Sequence, residues 1–217
     1  MVTASVTAGG RTLTLLPEKA AFLADSATLL VADAHIGKAV SFRALGVPVP
    51  RGTTTETLAE LSTLVARHGV RRIVFLGDFL HSARSHASAT LAAVTRWRSA
   101  HTALELTLVR GNHDDRAGDP PSALGIEAVD EPLLMHGLAL CHHPQAWPEA
   151  YVLAGHIHPC VKMAGRARDR LRLPCFWFGD HLGVLPAFGA FTGMHAVQPA
   201  PGDRVFVVAG DSVVALP

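Results

Sequence analysis

The sequence predicts one α/β domain, residues 1–217, built around two β-sheets. Up to Asn112, hydrophobic strands alternate with amphipathic helices, which is typical of α/β units around a sheet. Beyond that residue, short apolar runs follow one another with few helix signals, which favours a second sheet. No repeat, low-complexity tract or linker divides the chain, so a single domain is expected.

The predicted strands are apolar runs that end at turn or polar residues. The first alternates polar and apolar positions, and the following ones are nearly continuous apolar runs of the kind that forms buried strands. These runs occupy residues 11–16, 27–33 and 71–78, and in residues 104–114, "LELTLVRGNHD", a strand runs into a loop. At the end of the chain, "RVFVVAGDSVVALP" predicts a hairpin that turns at Gly210 and Asp211.

Two helices are predicted between these strands. Thr53 and Glu56 fit a capping box at the start of the first helix, which carries an apolar stripe and stops at Gly69. The second covers residues 85–101, with Leu91 and other apolar side chains on one side. Both helices are therefore expected to cover a sheet with one face.

Composition indicates a globular protein without an overall affinity for nucleic acid. Hydrophobic residues make up 49% of the chain and charged residues 17%, as in an ordinary folded domain. The formal net charge is only +1, so any contact with nucleic acid must come from a local arrangement of side chains.

The predicted location is the cytoplasm. The chain has three cysteines without paired spacing, which fits a reducing compartment. Its first residues lack the basic segment and apolar core of a signal peptide. Residues 182–202 carry no Asp, Glu, Lys or Arg, but prolines and glycines interrupt them, so no membrane span is expected.

Each apolar run ends in polar residues of one kind, and histidine is abundant, with 13 copies. In an extended chain Asp33 and His35 would share a face. Because the carboxyl ends of strands gather at one edge of an α/β sheet, five such strand ends are expected to meet there. The residues concerned are Asp33 and His35, Asp78, Asn112 with His113 and Asp114, His142 and His143, and His156 and His158.

This set of side chains predicts a site for two metal ions. Two carboxylates, one amide oxygen and at least four imidazoles are more ligands than one ion uses, whereas two ions about 3.5–4 Å apart could use them all. The mixture of oxygen and imidazole favours Mn²⁺, with Fe or Zn²⁺ as alternatives. Cys141 and Cys160 flank the motifs and are interpreted as small buried apolar residues.

Taken together, these motifs resemble those of the calcineurin-like metallophosphoesterases. The matching segments are Asp33-x-His35, Gly77-Asp78, "GNHD" at 111–114, His142, and Gly155-His156-x-His158. Further segments resemble the bacterial ligase-associated DNA-damage-response endonucleases, over nearly the whole chain: "KAVSFRALGVPVPRGTTTETLAEL", "GHIHPCVKM", "RLPCFWF" and "LPAFGAFTG". The resemblance implies a four-layer α-β-β-α sandwich of two mixed sheets flanked by helices.

The resemblance also implies the metal ligands. Asp33, His35 and His158 would hold the first ion, and Asp78 would bridge the two. The second ion would be held by Asn112, His142 and His156. His142 is preferred to His143 because the branch usually shows His-acid-Pro where this chain has "HHP".

The remaining implied roles concern the phosphate and its leaving group. A metal-activated hydroxide would attack phosphorus, and His113 would protonate the leaving oxygen or stabilise its charge. His81 resembles a phosphate-contacting histidine of the branch. Arg43, Arg51 and Arg84 lie in loops after motif strands and could bind the nucleic-acid backbone.

The function expected is a DNA endonuclease of DNA repair, acting on single-stranded DNA and associated with DNA ligase and helicase functions. The motifs set the chemistry and not the substrate. A phosphomonoesterase, a cyclic-nucleotide phosphodiesterase or a nucleotide pyrophosphatase therefore stays open as an alternative. A non-catalytic scaffold is less favoured because every ligand position is filled. A DNA-binding module without chemistry lacks a base-reading motif.

Overall fold

The structure is a computed structural model that describes residues 1–49, 52–164 and 170–217. Two mixed β-sheets pack face to face, and helices lie against the outer face of the first sheet. The predicted α/β sandwich of two mixed sheets flanked by helices is confirmed. Loop residues, including Trp147, cover part of the outer face of the second sheet.

Sheet 1 contains seven strands in the described part of the chain, and they lie side by side in chain order. The first four pair antiparallel, and the fourth to seventh pair parallel. The strands are β1 (Ala4–Ala8), β2 (Arg11–Leu15), β3 (Ala21–Leu23), β4 (Thr28–Ala32), β5 (Arg72–Leu76), β6 (Glu105–Val109) and β7 (Ile126–Val129).

Sheet 2 contains the other nine strands of the described residues. The path β14-β11-β12-β13-β10-β9-β8 is extended by β15, which pairs with β12 and β16. Within it β10 lies parallel to both β9 and β13. The strands are β8 (Leu133–Met135), β9 (Leu138–Leu140), β10 (Tyr151–Ala154), β11 (Pro159–Ala164), β12 (Arg170–Phe178), β13 (Leu182–Val184), β14 (His195–Ala196), β15 (Arg204–Ala209) and β16 (Ser212–Ala215). The hairpin turn at Gly210 and Asp211 is confirmed, because Ala209 pairs with Ser212.

The helices follow strands of sheet 1. They are α1 (Lys38–Ala44), α2 (Thr53–His68), α3 (Ser88–Ala100) and α4 (Asn112–Ala117), with short 3-10 turns at Ala24–Ser26, Ala83–His86 and Ser122–Leu124. The predicted capping box of α2 is wrong, since Gly52 is the N-cap residue and Thr53 already lies inside the helix without a side-chain capping bond. The predicted stop at Gly69 is confirmed: this residue adopts a left-handed conformation with φ of 61°.

The core between the sheets fixes their relative position. Leu30 and Leu76 of sheet 1 pack in one apolar cluster with Leu140, Leu153 and Phe176 of sheet 2, all fully buried. Burying each side chain of this size stabilises the fold by about 1.5–3 kcal/mol. Because Leu76, Leu140 and Leu153 lie at or next to the carboxyl ends of their strands, the cluster holds these strand ends of both sheets close together.

A second cluster holds the helices to sheet 1. Apolar residues of α2 and α3, such as Leu61 and Val94, pack on Ile73 and Phe75 of β5. Cys141, Cys160 and Cys175 are buried free thiols, which confirms their interpretation as small apolar residues. No helix in the described residues is long and apolar enough to cross a membrane.

Candidate active site

The predicted site residues follow five strand ends that meet at one edge of the sandwich. Strands β4, β5 and β6 are parallel neighbours in sheet 1, and β9 and β10 are parallel neighbours in sheet 2. The loops that follow these strands continue the backbone pairing between them. The N–H group of His35 donates to the backbone carbonyl of Asp78 at 2.8 Å, and that of Gly155 donates to the backbone carbonyl of His142 at 3.1 Å. The sheets are also joined here, because the backbone N–H of His156 donates to Asp33 Oδ2 at 2.9 Å.

The backbone at this edge is strained. Five of the predicted ligands have positive φ angles of 47° to 70°, which residues other than glycine rarely adopt: Asp33, His35, Asp78, His156 and His158. Strand β4 ends at Ala32, so the explanation by an extended chain is wrong for Asp33 and His35. Each such residue costs on the order of 1–3 kcal/mol, and this kind of strain clusters at functional sites.

The first group of ligand atoms surrounds Asp33. Its Oδ1 atom lies 3.4 Å from His158 Nε2, and ligand atoms of Asp33, His35 and His158 all lie within 4.8 Å of one another. Asp33 and His35 are buried. Asp33 Oδ1, both ring nitrogens of His35 and His158 Nε2 are buried without a hydrogen-bond partner. Unpaired buried polar atoms are costly, and four in one place indicate a missing ligand.

The second group surrounds His142, whose ring is fully buried. Its Nε2 atom lies 3.0 Å from His156 Nδ1, 3.1 Å from Asn112 Oδ1 and 3.5 Å from Asp78 Oδ1. One imidazole nitrogen cannot make hydrogen bonds to three such atoms at once. Asp78 also faces the first group, since its Oδ2 atom lies 3.9 Å from His35 Nε2.

Backbone carbonyls fix the ring protons of three histidines. His142 Nδ1 donates to the carbonyl of Leu76 at 3.1 Å, and His158 Nδ1 donates to that of Gly193 at 2.8 Å. His113 Nδ1 donates to the carbonyl of His81 at 2.6 Å. Because a carbonyl only accepts, these Nδ1 atoms carry a proton, and Nε2 is the nitrogen that each ring turns toward the cluster. Metal-bound histidines are held in the same way.

The charges of the cluster also suit a cation. Burial lowers the pKa of His35, of His142 and of His156, so these rings are neutral near pH 7. Burial raises the pKa of Asp78, and the nearby charge of Asp33 adds to the effect. Neutral imidazoles, two adjacent carboxylates and unpaired lone pairs together fit a metal ion better than hydrogen bonds among themselves. The buried aspartate and histidine groups could therefore hold metal.

His113 and His81 lie beside the first group. Their rings stack with centroids 4.8 Å apart, and both stand edge-on to His35 at 5.1 and 5.2 Å. His113 Nε2 lies 3.9 Å from Asp78 Oδ2, and its ring is partly exposed. The pKa of His81 is lowered to about 4 by burial and then by the charge of Lys38, so this ring is neutral near pH 7.

His143 lies beside the second group, with its ring centroid 4.7 Å from that of His142 and 4.6 Å from that of His156. Its Nδ1 atom bonds to Glu131 Oε1 at 2.7 Å. Arg43 and Arg84 are exposed, on α1 and on the neighbouring 3-10 turn, which a hydrogen bond between Ser41 and Ser82 joins. Arg51 lies outside the described residues.

Two acidic residues to which the sequence analysis gave no role hold the motif loops. Glu131 Oε2 accepts the backbone N–H groups of His142 and His143 at 2.7 and 2.9 Å. Buried Asp114 accepts the N–H groups of Gly111 and Leu80 at 3.0 and 3.1 Å, and burial raises its pKa to about 6. Nothing in the sequence around Glu131 distinguishes it, whereas Asp114 ends the "GNHD" segment.

Lys38 was also missed, although a lysine three residues after His35 was visible in the sequence. It begins α1 and is half-buried. Burial lowers its pKa, while the charges of Asp33 and Asp78 raise it. Lys38 lines a narrow cleft together with His35, its Nζ atom lies 5.7 Å from the centre of the Phe42 ring, and its charge lowers the pKa of His35 and of His81.

Comparison with solved structures finds a relative that matches over the full length of the chain. The chain is 43% identical to the Pseudomonas putida nuclease MPE, with a TM-score of 0.87 over 99% of this chain and 100% of that one. No family model and no curated protein matches it. The phosphoesterase Yfce from E. coli is 13% identical, with a TM-score of 0.42 over 87% of this chain and 97% of that one. A protein of unknown function from Aquifex aeolicus is 15% identical, with a TM-score of 0.40 over 60% of this chain and 78% of that one. Both are too distant to support a conclusion.

Two mixed sheets flanked by helices, with aspartate and histidine side chains gathered at the ends of parallel strands, define a phosphoesterase-type α/β sandwich. Within that class, the chain belongs to the family of the Pseudomonas putida nuclease MPE.

Proposed function

We propose that this protein is a nuclease that depends on two divalent metal ions and cuts single-stranded DNA internally. The observation that carries the proposal is the convergence of unpaired aspartate and histidine ligand atoms at one edge. Membership of a nuclease family at 43% identity over the full chain supports phosphodiester bonds as the target.

Seven residues would hold the metals. We assign Asp33, His35 and His158 to the first ion and Asn112, His142 and His156 to the second, with Asp78 between them. The assignment is supported by Asp78, whose two oxygens face different groups: Oδ1 lies 3.5 Å from His142 Nε2 and Oδ2 lies 3.9 Å from His35 Nε2. Oxygen and imidazole ligands without thiolate favour Mn²⁺. When bound, such ions lower the pKa of water and neutralise charge on the phosphoryl oxygens.

His113 would act on the leaving group. Hydrolysis joins a water oxygen to phosphorus, breaks the bond to the leaving oxygen and requires that oxygen to take up a proton. The carbonyl of His81 holds the Nδ1 proton of His113, so the proton given to the leaving oxygen would come from Nε2 of the doubly protonated ring, which would then be left neutral. That atom points toward Asp78 from a partly exposed position, where substrate can reach it.

Lys38 and His81 would contact the phosphate. Lys38 supplies a positive charge beside the cluster, where a phosphate oxygen would lie. His81 is neutral and can donate one N–H without adding charge. Arg43, Arg51 and Arg84 remain predicted contacts to the DNA backbone.

The finer biological role also belongs to the proposal. The resemblance to the ligase-associated branch leads us to propose a part in DNA repair beside DNA ligase and helicase functions, carried out by residues 1–217 as one domain. Three free buried cysteines support a cytoplasmic location.

The decisive experiment incubates the purified protein with single-stranded and duplex DNA, with Mn²⁺ or with chelator. The Asp78→Ala variant tests the metal cluster, and Asp180→Ala, which removes an exposed carboxylate, is its control. We expect Mn²⁺-dependent internal cuts, preferentially in single strands, that are lost in Asp78→Ala and kept in the control.

Two other outcomes would overturn the proposal. Full activity of Asp78→Ala would contradict the two-metal site. Hydrolysis of a simple phosphate ester without any cleavage of DNA would move the substrate to a small molecule.

A further inference from the structure

An exposed aromatic side chain stands beside the proposed metal site. Phe191 is 52% exposed, and it is the one aromatic residue among the exposed large hydrophobic residues of the described chain. Its φ angle is 57°, which is an outlier for a bulky side chain. Such a conformation persists only where the surrounding structure enforces it, and it is found most often at functional sites.

The loop that carries Phe191 is fixed to the metal-site loops on both sides. Before it, Gly189 donates its N–H to the carbonyl of Asp33 at 3.1 Å. A side chain at Gly189 would meet the carbonyl oxygen of Ala34 at 2.4 Å, so the two loops touch through backbone. After it, the carbonyl of Gly193 accepts the Nδ1 proton of His158 at 2.8 Å.

A groove of about 180 Å³ separates Phe191 from His158. Pro159, Pro174 and Met194 also line it, and none of its described lining residues is acidic. On the other side of Phe191 lies a narrower cleft that His35 and Lys38 line. The ring of Phe191 therefore lies between the groove, which reaches His158, and the cleft, which reaches His35.

We infer that Phe191 stacks on a nucleobase of the single strand whose phosphate lies at the proposed site. The groove is apolar and uncharged apart from Lys19 and His158, and Lys19 is occupied by the carbonyl of Phe188 at 2.6 Å. This chemistry suits the flat, neutral face of a base and not a second phosphate. Stacking on aromatic side chains is how proteins hold single strands without reading their sequence. The inference rests on the proposed nuclease function and adds a residue that selects unpaired strands, because bases inside a duplex are already stacked.

The test compares an ordinary oligonucleotide with the same strand carrying abasic residues around the cleavage positions. The variants are Phe191→Ala, Phe191→Leu, which keeps an apolar side chain without an aromatic face, and Phe191→Trp, which keeps the aromatic face. We expect the wild-type protein to prefer the base-bearing strand by about five- to a hundredfold in kcat/KM. The preference should be lost in Phe191→Ala and Phe191→Leu and kept in Phe191→Trp.

A second measurement does not depend on cleavage. All proteins in this measurement also carry Asp78→Ala, and the probe is a single strand containing 2-aminopurine. Its fluorescence should fall on binding to the protein with Phe191 and to the Phe191→Trp variant. It should not fall on binding to the Phe191→Leu variant. Equal preference in wild type and Phe191→Leu would overturn the stacking role while leaving the nuclease function intact. Failure of the wild-type protein to cleave either strand would overturn both.

Discussion

The Nε2 atom of His142 lies 3.0 Å from the Nδ1 atom of His156, and these residues follow the neighbouring parallel strands β9 and β10 of sheet 2. The carbonyl of Leu76 accepts the Nδ1 proton of His142. The lone pair of its Nε2 atom therefore faces His156 and Asn112. An arrangement of this kind could hold a cation, and its parts can be tested separately.

Removing His156 should weaken metal binding. We expect His156→Ala to lower the affinity for Mn²⁺ by at least about tenfold, the loss typical of disturbing even an outer partner of a metal ligand. Isothermal titration with Mn²⁺ measures it, and His181→Ala, which removes an exposed histidine outside the cluster, is the control. Unchanged affinity in His156→Ala would exclude this residue from the site.

Gly77 leaves room for His142, so an added methyl group should disturb it. A Cβ atom at Gly77 would lie 2.1 Å from His142 Nδ1, and its φ angle is 77°. Gly10 has a similar φ of 72° with no atom within 4 Å, so Gly10→Ala shows the backbone strain alone, about 1–2 kcal/mol. We expect Gly77→Ala to lose more stability in urea unfolding, and to lose Mn²⁺ affinity as well. Equal losses in both variants would show that the contact with His142 is unimportant.

Glu131 should act as a positioning residue for His142. Glu131→Ala leaves two backbone N–H groups without their acceptor, at a cost of about 1–3 kcal/mol in the free energy of unfolding. We expect a roughly 10–100-fold loss of Mn²⁺ affinity as His142 becomes mobile.

Glu131→Gln keeps one oxygen for these N–H groups and should recover most of the affinity. Glu127→Ala, on an exposed position of the edge strand β7, is the control. If Glu131→Ala lowers stability but binds Mn²⁺ normally, its role is structural only.

The charge of Lys38 should assist substrate binding. We expect Lys38→Gln to raise KM for single-stranded DNA and to reduce the slope of log affinity against log salt by about 0.7, the value for one phosphate contact to a single strand. Lys162→Gln removes an exposed lysine on β11 and should leave both quantities unchanged. A salt dependence equal to that of the wild type would place Lys38 away from the phosphate.

The cysteines should be unreactive in the native protein. All three are fully buried, and burial raises the pKa of the Cys141 thiol to about 11 and of the Cys175 thiol to about 12. A thiol reagent at pH 8 should therefore modify none of them natively and all three after denaturation. Rapid native modification of any of them would contradict this burial.

Hydrophobic patterning alone determined the layers of this protein. The continuous apolar runs at 27–33 and 71–78 became the buried parallel strands β4 and β5, because only strands covered on both faces tolerate such runs. The predicted capping box at the start of α2 is wrong. A capping box needs a side chain at the N-cap position, and that position is occupied by Gly52, which has none. The sequence was enough to predict that the motif residues lie at one edge, because the carboxyl ends of parallel strands lie together.

Only the tertiary structure decided how those residues face each other. Asp33 and His35 converge through left-handed backbone and not through the pleat of a strand, which no local pattern indicates. Glu131 lies in a segment that carries no motif and acts by accepting two N–H groups. Phe191 lies in the "LPAFGAFTG" segment, but only the loop bonded to Asp33 and His158 places it beside the site. The sequence determined which chemistry is available, since that depends on residue type. The fold determined which atoms share a space, because that depends on contacts between residues far apart in the chain.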